Sequence, residues 1–108
     1  MEALKENKLR GLLGMAKKAG RLTCGTELVC DAVRAGKITL VLMANDVSAN
    51  TRKRLANCAA CYHIDCLTLP FDRDVLRQTV GAASLTAAVG LSDPGFSRAI
   101  RERMEQLT

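Results

Sequence analysis

The seven residues from Ile38 to Ala44 constrain the fold most, because they form a nearly unbroken apolar run. Strands that are buried on both faces have such runs, whereas strands with one solvated face alternate apolar and polar residues. The run therefore predicts a central strand that is covered on both sides. Helical patterns flank it: one ends at Gly36, and the other begins after Ser48, a residue type that commonly caps helix starts.

The same periodicities extend over the rest of the chain and alternate between helix and strand. The predicted helices are 3–19, 26–35, 49–61, a short helix capped by Asp72 or Asp74 that ends near Val80, and 94–107. The predicted strands are 22–24, 38–44, 64–69 and 86–91. Thr23 or Thr26 is expected to cap the second helix, whose apolar face includes Leu28. Strands that alternate with helices indicate an α/β fold, with a mostly covered sheet between two helical layers. No repeat or linker interrupts the pattern, so residues 1–108 form one predicted domain.

Charge is distributed unevenly along the chain, which has a net charge of +5. Residues 1–54 contain eleven Lys or Arg and five Asp or Glu, whereas residues 55–108 contain five and six. A basic half favours a polyanionic partner, nucleic acid before a membrane surface. The alternative is that the charge serves only solubility. Aromatic residues make up 3% of the chain, which argues against a binder that stacks bases on an aromatic platform.

The sequence shows no segment typical of targeting or of a membrane span. The apolar pair Leu12-Leu13 is too short for the core of a signal peptide, and no run of about 18 apolar residues occurs. We therefore expect a cytoplasmic protein without membrane contact. Its five cysteines are then expected to be reduced and mostly buried as small apolar side chains.

Potential metal ligands concentrate before the third strand. Cys58, Cys61, His63 and Cys66 are of the types that zinc prefers, but structural zinc sites normally have a longer loop between their ligand pairs. Buried thiols are therefore favoured over a zinc site or a thiol redox sensor. We expect His63, the sole histidine, to be partly buried at a helix–strand junction.

A catalytic arrangement is not visible in the sequence. Adjacent residues on a strand point to opposite faces, so His63 is poorly placed to activate Cys61. Asp72 and Asp74 resemble helix caps rather than paired acids, and the glycines match neither a P-loop nor a dinucleotide fingerprint. We predict a protein that is not an enzyme and has no cofactor or metal.

The stretch from Leu9 to Val29 is the strongest candidate for binding. A helix ends at Gly20, and a second opens just after Gly25, so its free N–H groups and positive dipole end suit a phosphate. Three cations are expected to supply the phosphate contacts that dominate affinity: Lys17, Lys18 and Arg21. Glu27 is suited to accept hydrogen bonds from a guanine edge. The alternative is a tight basic turn without a partner.

A set of segments spread over about residues 8–100 carries a family resemblance. The segments are Leu13–Leu22, Gly25 with Glu27–Val29, Ala32–Lys37, Leu40–Asp46, Ser48–Arg54, Tyr62–Ile64 and Asp93–Phe96. Together they resemble the bacterial YlxQ-type proteins, within the superfamily of kink-turn-binding ribosomal proteins (the L-seven-Ae type). This resemblance implies an α/β/α sandwich with a four-stranded mixed sheet, RNA binding and no catalysis.

The resemblance also implies a position for the RNA site. In the superfamily the site lies at the start of the second helix, supported by the loop after the central strand and the loop before the last strand. The corresponding residues here are Gly25, Thr26, Glu27 and Leu28, then Asn45 and Asp46, then Ala83, Ser84 and Leu85. The archaeal signature has Asn, Glu and a later Lys where this chain has Glu27, Leu28 and Asp31, so kink-turn specificity does not follow.

Two hypotheses of function follow. The first is a small RNA-binding protein that recognises structured RNA, kink-turn RNA among the candidates, as an accessory factor associated with the ribosome or another ribonucleoprotein. The second is a protein-interaction module that docks on a ribonucleoprotein through its less basic second half.

Overall fold

The structure, a computed structural model, describes residues 2–105 and the side chains of residues 6–105. In that range the helices are α1 (Glu2–Lys18), α2 (Thr26–Arg34), α3 (Ala49–Cys61), α4 (Arg73–Val80) and α5 (Pro94–Glu105). The strands are β1 (Leu22–Cys24), β2 (Leu40–Met43), β3 (Cys66–Thr68) and β4 (Ala88–Leu91). The predicted order of helices and strands is confirmed. The predicted end of the last helix near residue 107 lies outside the described residues.

The four strands form one mixed sheet in the order β1-β4-β2-β3. β4 is antiparallel to both β1 and β2, whereas β2 and β3 are parallel. Three strands are shorter than predicted. β3 begins at Cys66 rather than residue 64, because the Ile64 N–H donates to the Ala59 carbonyl (2.9 Å) and still belongs to the end of α3.

The alternating side chains of β2 divide the core into two halves. Leu40 and Leu42 pack with side chains of α1, α4 and α5, whereas Val41 and Met43 pack with side chains of α2 and α3. All four residues of β2 are buried, as the apolar run predicts. The sheet thus lies between a three-helix layer and a two-helix layer, which confirms the α/β/α sandwich.

Gly90 of β4 makes room for the buried side chain of Ile38, which precedes β2. A Cβ atom at Gly90 would lie 2.9 Å from Ile38 Cδ1, which is closer than two non-bonded carbon atoms approach each other. The absence of a side chain lets Ile38 cover the strand.

The strand directions bring several loops to the same end of the sheet. Since β1, β2 and β3 run in one direction and β4 in the other, three strands end where β4 begins. We call this the distal end and the opposite one the proximal end. α2, α3 and α4 all start at the distal end.

Candidate nucleic-acid interface

Three segments that are distant in sequence meet at the distal end. The Gly25 N–H donates to the Ala88 carbonyl, and the Ala44 N–H donates to the Ala87 carbonyl, both at 2.9 Å. These bonds join the start of α2 and the β2–α3 loop to the loop that enters β4. The joined segments contain the following predicted binding residues: Gly25, Thr26, Glu27, Leu28, Asn45, Asp46, Ala83, Ser84 and Leu85.

The start of α2 leaves three backbone donors without an acceptor. Gly25 occupies the N-cap position with φ 101° and ψ 139°, and no side chain caps the helix. The first helical bond runs from the Val29 N–H to the Gly25 carbonyl (2.9 Å). In the described part of the chain, the N–H groups of the three residues between them have no hydrogen-bond acceptor: Thr26, Glu27 and Leu28.

The predicted caps of α2 are therefore wrong. Thr26 is the first residue inside the helix, and Thr23 lies within β1. Glycine takes the cap position because a positive φ is costly for any residue with a Cβ atom. A glycine has no side-chain acceptor, so this helix start stays open to an external anion.

The starts of the next three helices are closed by side chains. Ser48 accepts from the Thr51 N–H at the start of α3 (3.1 Å), as predicted. Asp72 accepts from the Val75 N–H at α4 (2.9 Å), which identifies Asp72, rather than Asp74, as the cap. At α5, Asp93 Oδ1 accepts from the N–H of Gly95 (2.7 Å). Among α2–α5, only α2 begins without such an acceptor.

The carboxylates at the distal end are held by arginines. Arg54 of α3 donates two hydrogen bonds to Glu27, one to each oxygen, with Nη2–Oε2 at 2.7 Å. Asp46 accepts from the backbone N–H of Arg73 (2.9 Å), whose Nε lies 3.4 Å away in an ion pair. The negative charge that Glu27 and Asp46 present to a phosphate is thus partly neutralised.

Arg54 is a candidate site residue that the sequence analysis did not identify. Its partner Glu27 lies 27 residues earlier in the chain, which no local pattern relates. One signal was present: the run Arg52-Lys53-Arg54 falls near a helix start, where the dipole disfavours cations. The ion pair with Glu27 offers a structural reason for placing a cation there.

Three predicted cations lie at the other end of the sheet. Lys17 and Lys18 end α1, and Arg21 follows just before β1, with its carbonyl bonded to the Ser92 N–H (3.0 Å). The three residues of β1 separate Arg21 from Gly25, which is about 13 Å of extended chain. Among the described residues these cations have no ion-pair partner. The sequence grouped them with Gly25, and the structure separates them.

Two exposed leucines flank the open helix start. Leu28 is 61% exposed, and Leu85, in the loop before β4, is 57% exposed. The prediction that Leu28 belongs to the buried face of α2 is wrong. The buried residues of α2 are Val29, Cys30 and Val33, and Leu28 lies outside the face that they form.

The cysteine and histidine predictions are only partly correct. His63 follows α3 with φ 56° at the junction with β3, but its side chain is exposed rather than partly buried. Of the cysteines only Cys30 is buried, and Cys61 is exposed. Burial raises the pKa of Cys30, and desolvation also raises the pKa of Cys66. Within the described residues, no three His, Cys, Asp or Glu side chains are arranged to hold a metal ion.

None of the described helices combines the length and apolarity that a membrane span requires.

Comparisons with known proteins identify relatives along nearly the whole chain. The chain is 33% identical over 98 residues to the RNA-binding protein YlxQ of Enterococcus faecium, covering 91% of this chain and 92% of that protein. It is 30% identical over 86 residues to the RNA-binding protein YlxQ of Bacillus subtilis strain 168, covering 80% and 84%.

Solved structures share the fold. A protein of unknown function from Bacillus halodurans C superposes with a TM-score of 0.84 at 32% identity, over 91% of this chain and 97% of that one. The 15.5kD RNA binding protein of Giardia lamblia superposes with a TM-score of 0.76, over 98% and 87%, but at 14% identity it shows the fold alone.

The sequence pattern of one protein family matches residues 7–101, which is most of the chain. The matched segment includes β1–β4 and α2–α4, and with them the open helix start. The chain belongs to the ribosomal protein L7Ae/L30e/S12e/Gadd45 family.

Proposed function

We propose that the protein binds structured RNA in the cytoplasm, without catalysis, as an accessory factor of the ribosome or of another ribonucleoprotein. The observation that carries the proposal is the open start of α2, where three N–H groups at the positive end of the helix dipole lack acceptors among residues 2–105. Two related proteins that are named for RNA binding are 33% and 30% identical to this chain over the aligned residues. The family and the open donors point to the same partner.

The distal end offers two kinds of contact to a bent RNA strand. The backbone donors of α2 bind a phosphate, since helix starts favour anions. Leu28 and Leu85 offer apolar surface to the faces of unstacked bases. A regular duplex keeps its bases stacked inside, so this combination favours RNA with a bend or a bulge.

The departures from the archaeal signature alter the local charge less than the sequence suggests. Glu27 is paired with Arg54, and Asp31 with Arg34 at 3.0 Å. Both pairs are exposed, so solvent screens them and each carboxylate keeps some repulsion toward phosphate. We propose that the site binds a kinked backbone through its N–H groups, with base preferences set by Glu27.

The proposal is tested by crosslinking RNA to the protein in its native cells and sequencing the recovered RNA. We expect enrichment of structured ribosomal or other ribonucleoprotein RNA, and loss of the crosslinks in a Gly25→Asp variant. A kink-turn hairpin and an uninterrupted duplex of equal length then compare bent with straight RNA in vitro. Recovery of protein partners without RNA crosslinks would favour the protein-docking alternative and contradict the proposal.

A further inference from the structure

An open groove of about 640 Å³ lies between α2 and α3. Both helices start at the distal end and run side by side, so the groove leads away from the open start of α2. It is lined by Arg34, Arg54, Asn57, Cys58, Cys61 and Tyr62. None of these residues contributes to the contacts proposed above, except that Arg54 holds Glu27.

The lining side chains have the chemistry that one nucleotide requires. Tyr62 is 46% exposed and offers an aromatic ring on which a base can stack. Asn57 provides an amide that hydrogen-bonds base edges. Arg34 and Arg54 provide guanidinium groups for a phosphate, and none of the described carboxylates lines the groove.

Arg34 keeps donors for such a ligand. It bonds Asp31 through Nη1 only, so Nε and Nη2 are free of protein acceptors in the described part of the chain. Arg54 bonds Glu27 through both of its terminal nitrogens. Arg54 therefore lies between the open start of α2 and the groove: it pairs with Glu27 at the helix start and also lines the groove.

We infer that the α2–α3 groove binds a single-stranded RNA nucleotide, with its base stacked on Tyr62 and its phosphate against Arg34. The inference rests on the proposed function, because the nucleotide belongs to the strand that leaves the distal end. One ring suffices for one stacked base, so the low aromatic content of the chain is compatible with it.

Tyrosine fluorescence tests this contact directly, because Tyr62 is the only tyrosine and the chain has no tryptophan. A short oligouridylate is titrated into the intact protein, with free N-acetyltyrosinamide as the control for light absorption by the RNA. We expect saturable quenching of the protein signal alone. The same oligonucleotide containing 4-thiouridine should crosslink at Tyr62.

Substitutions separate stacking from general damage. Tyr62→Ala should weaken oligouridylate binding about tenfold, the scale of one lost base stack, when measured by anisotropy of a labelled oligonucleotide. Tyr62→Phe keeps the ring and should bind nearly as the wild type. His63→Asn, at the other exposed neighbour of Tyr62 and outside the groove lining, serves as the matched control, since asparagine tolerates the positive φ of this position.

The outcomes distinguish the two proposals. If structured RNA binds but Tyr62 shows neither quenching nor a crosslink, or if Tyr62→Ala binds oligouridylate like the wild type, the groove assignment is overturned while the proposed function stands. If no RNA binds at all, both are overturned.

Discussion

The starts of α2 and α3 lie at the same end of the sheet, and they are built in opposite ways. α3 begins with Ser48, whose side chain accepts a backbone hydrogen bond, and its first turns carry cations. α2 has Gly25 at its N-cap and Glu27 in its first turn, and no side chain in the described part of the chain caps it. The Glu27–Arg54 pair ties the two helices together.

The difference separates a helix start that serves folding from one that we propose serves binding. A capped start satisfies its own donors and contributes to stability. An open start leaves those donors to solvent or to a ligand, at the expense of about 1 kcal/mol that a cap would contribute. The positive φ of Gly25 makes the open form hard to replace with any capping residue.

The largest effect on RNA affinity is expected when the starts of α2 and α3 are given the same side chain. Gly25→Asp places a carboxylate over the open donors, and Gly25→Ala brings the same strained backbone without the charge. Relative to Gly25→Ala, we expect Gly25→Asp to bind structured RNA about thirtyfold more weakly, corresponding to a loss of roughly 2 kcal/mol. Ser48→Asp adds the same charge to α3 but keeps its cap, so its affinity should stay near that of the wild type. Filter binding or anisotropy measures the affinity. If Gly25→Asp and Ser48→Asp lose the same affinity for RNA, only the added charge matters and the two helix starts do not differ in binding.

A smaller effect on RNA affinity is expected from the cations at the proximal end, Lys17, Lys18 and Arg21. They have no ion-pair partner among the described residues. Lys17→Glu, Lys18→Glu or Arg21→Glu should weaken binding about fivefold for any RNA, and each should lower the salt-dependence slope by about one. Arg103→Glu, on the last turn of α5, is the control with the same change in charge. Wild-type affinity and an unchanged slope in all three variants would remove these residues from the site.

The cap of α3 should matter for folding and little for RNA. Ser48→Ala removes the acceptor of the Thr51 N–H, and we expect the free energy of unfolding to fall by about 1 kcal/mol. Urea denaturation followed by circular dichroism measures this. Affinity for RNA should be unaltered, and a clear drop in affinity with an intact fold would make Ser48 a binding residue.

The smallest effect should be a change of preference rather than of overall affinity. Glu27→Ala releases Arg54 and removes an acceptor for base amino groups, so the ratio of affinities for two structured RNAs should shift by about threefold. Glu27→Gln, which keeps an acceptor, is the matched control. If both variants keep the wild-type ratio for every RNA pair tested, Glu27 has no part in base selection.

Much of the fold was predictable because its signals are local. The run from Ile38 to Ala44 predicts the central strand, and both Ser48 and Asp72 are capping residues that the structure confirms. The resemblance to a known family supplied what local patterns cannot, namely that the sheet contains both parallel and antiparallel strands. Shorter strands and the glycine cap of α2 were missed, because pairing and backbone angles depend on neighbours elsewhere in the chain.

The candidate site was predicted less completely, since it depends on which distant residues meet. Position in sequence suggested that Lys17 and Gly25 form one corner, although β1 places them at opposite ends of the sheet. The same kind of reasoning did not find the pairing of Glu27 with Arg54 or the groove beside Tyr62. Both arise from two helices that run side by side.

The central claim is that the open start of α2 binds RNA, and backbone amide chemical shifts test it most directly. Nitrogen-15-labelled protein is titrated with the structured RNA recovered from cells, and the shift of every assigned amide is followed. The account predicts the largest changes at Thr26, Glu27 and Leu28, whose N–H groups lack acceptors among the described residues. Saturable binding that leaves these three amides unmoved while others shift would contradict it.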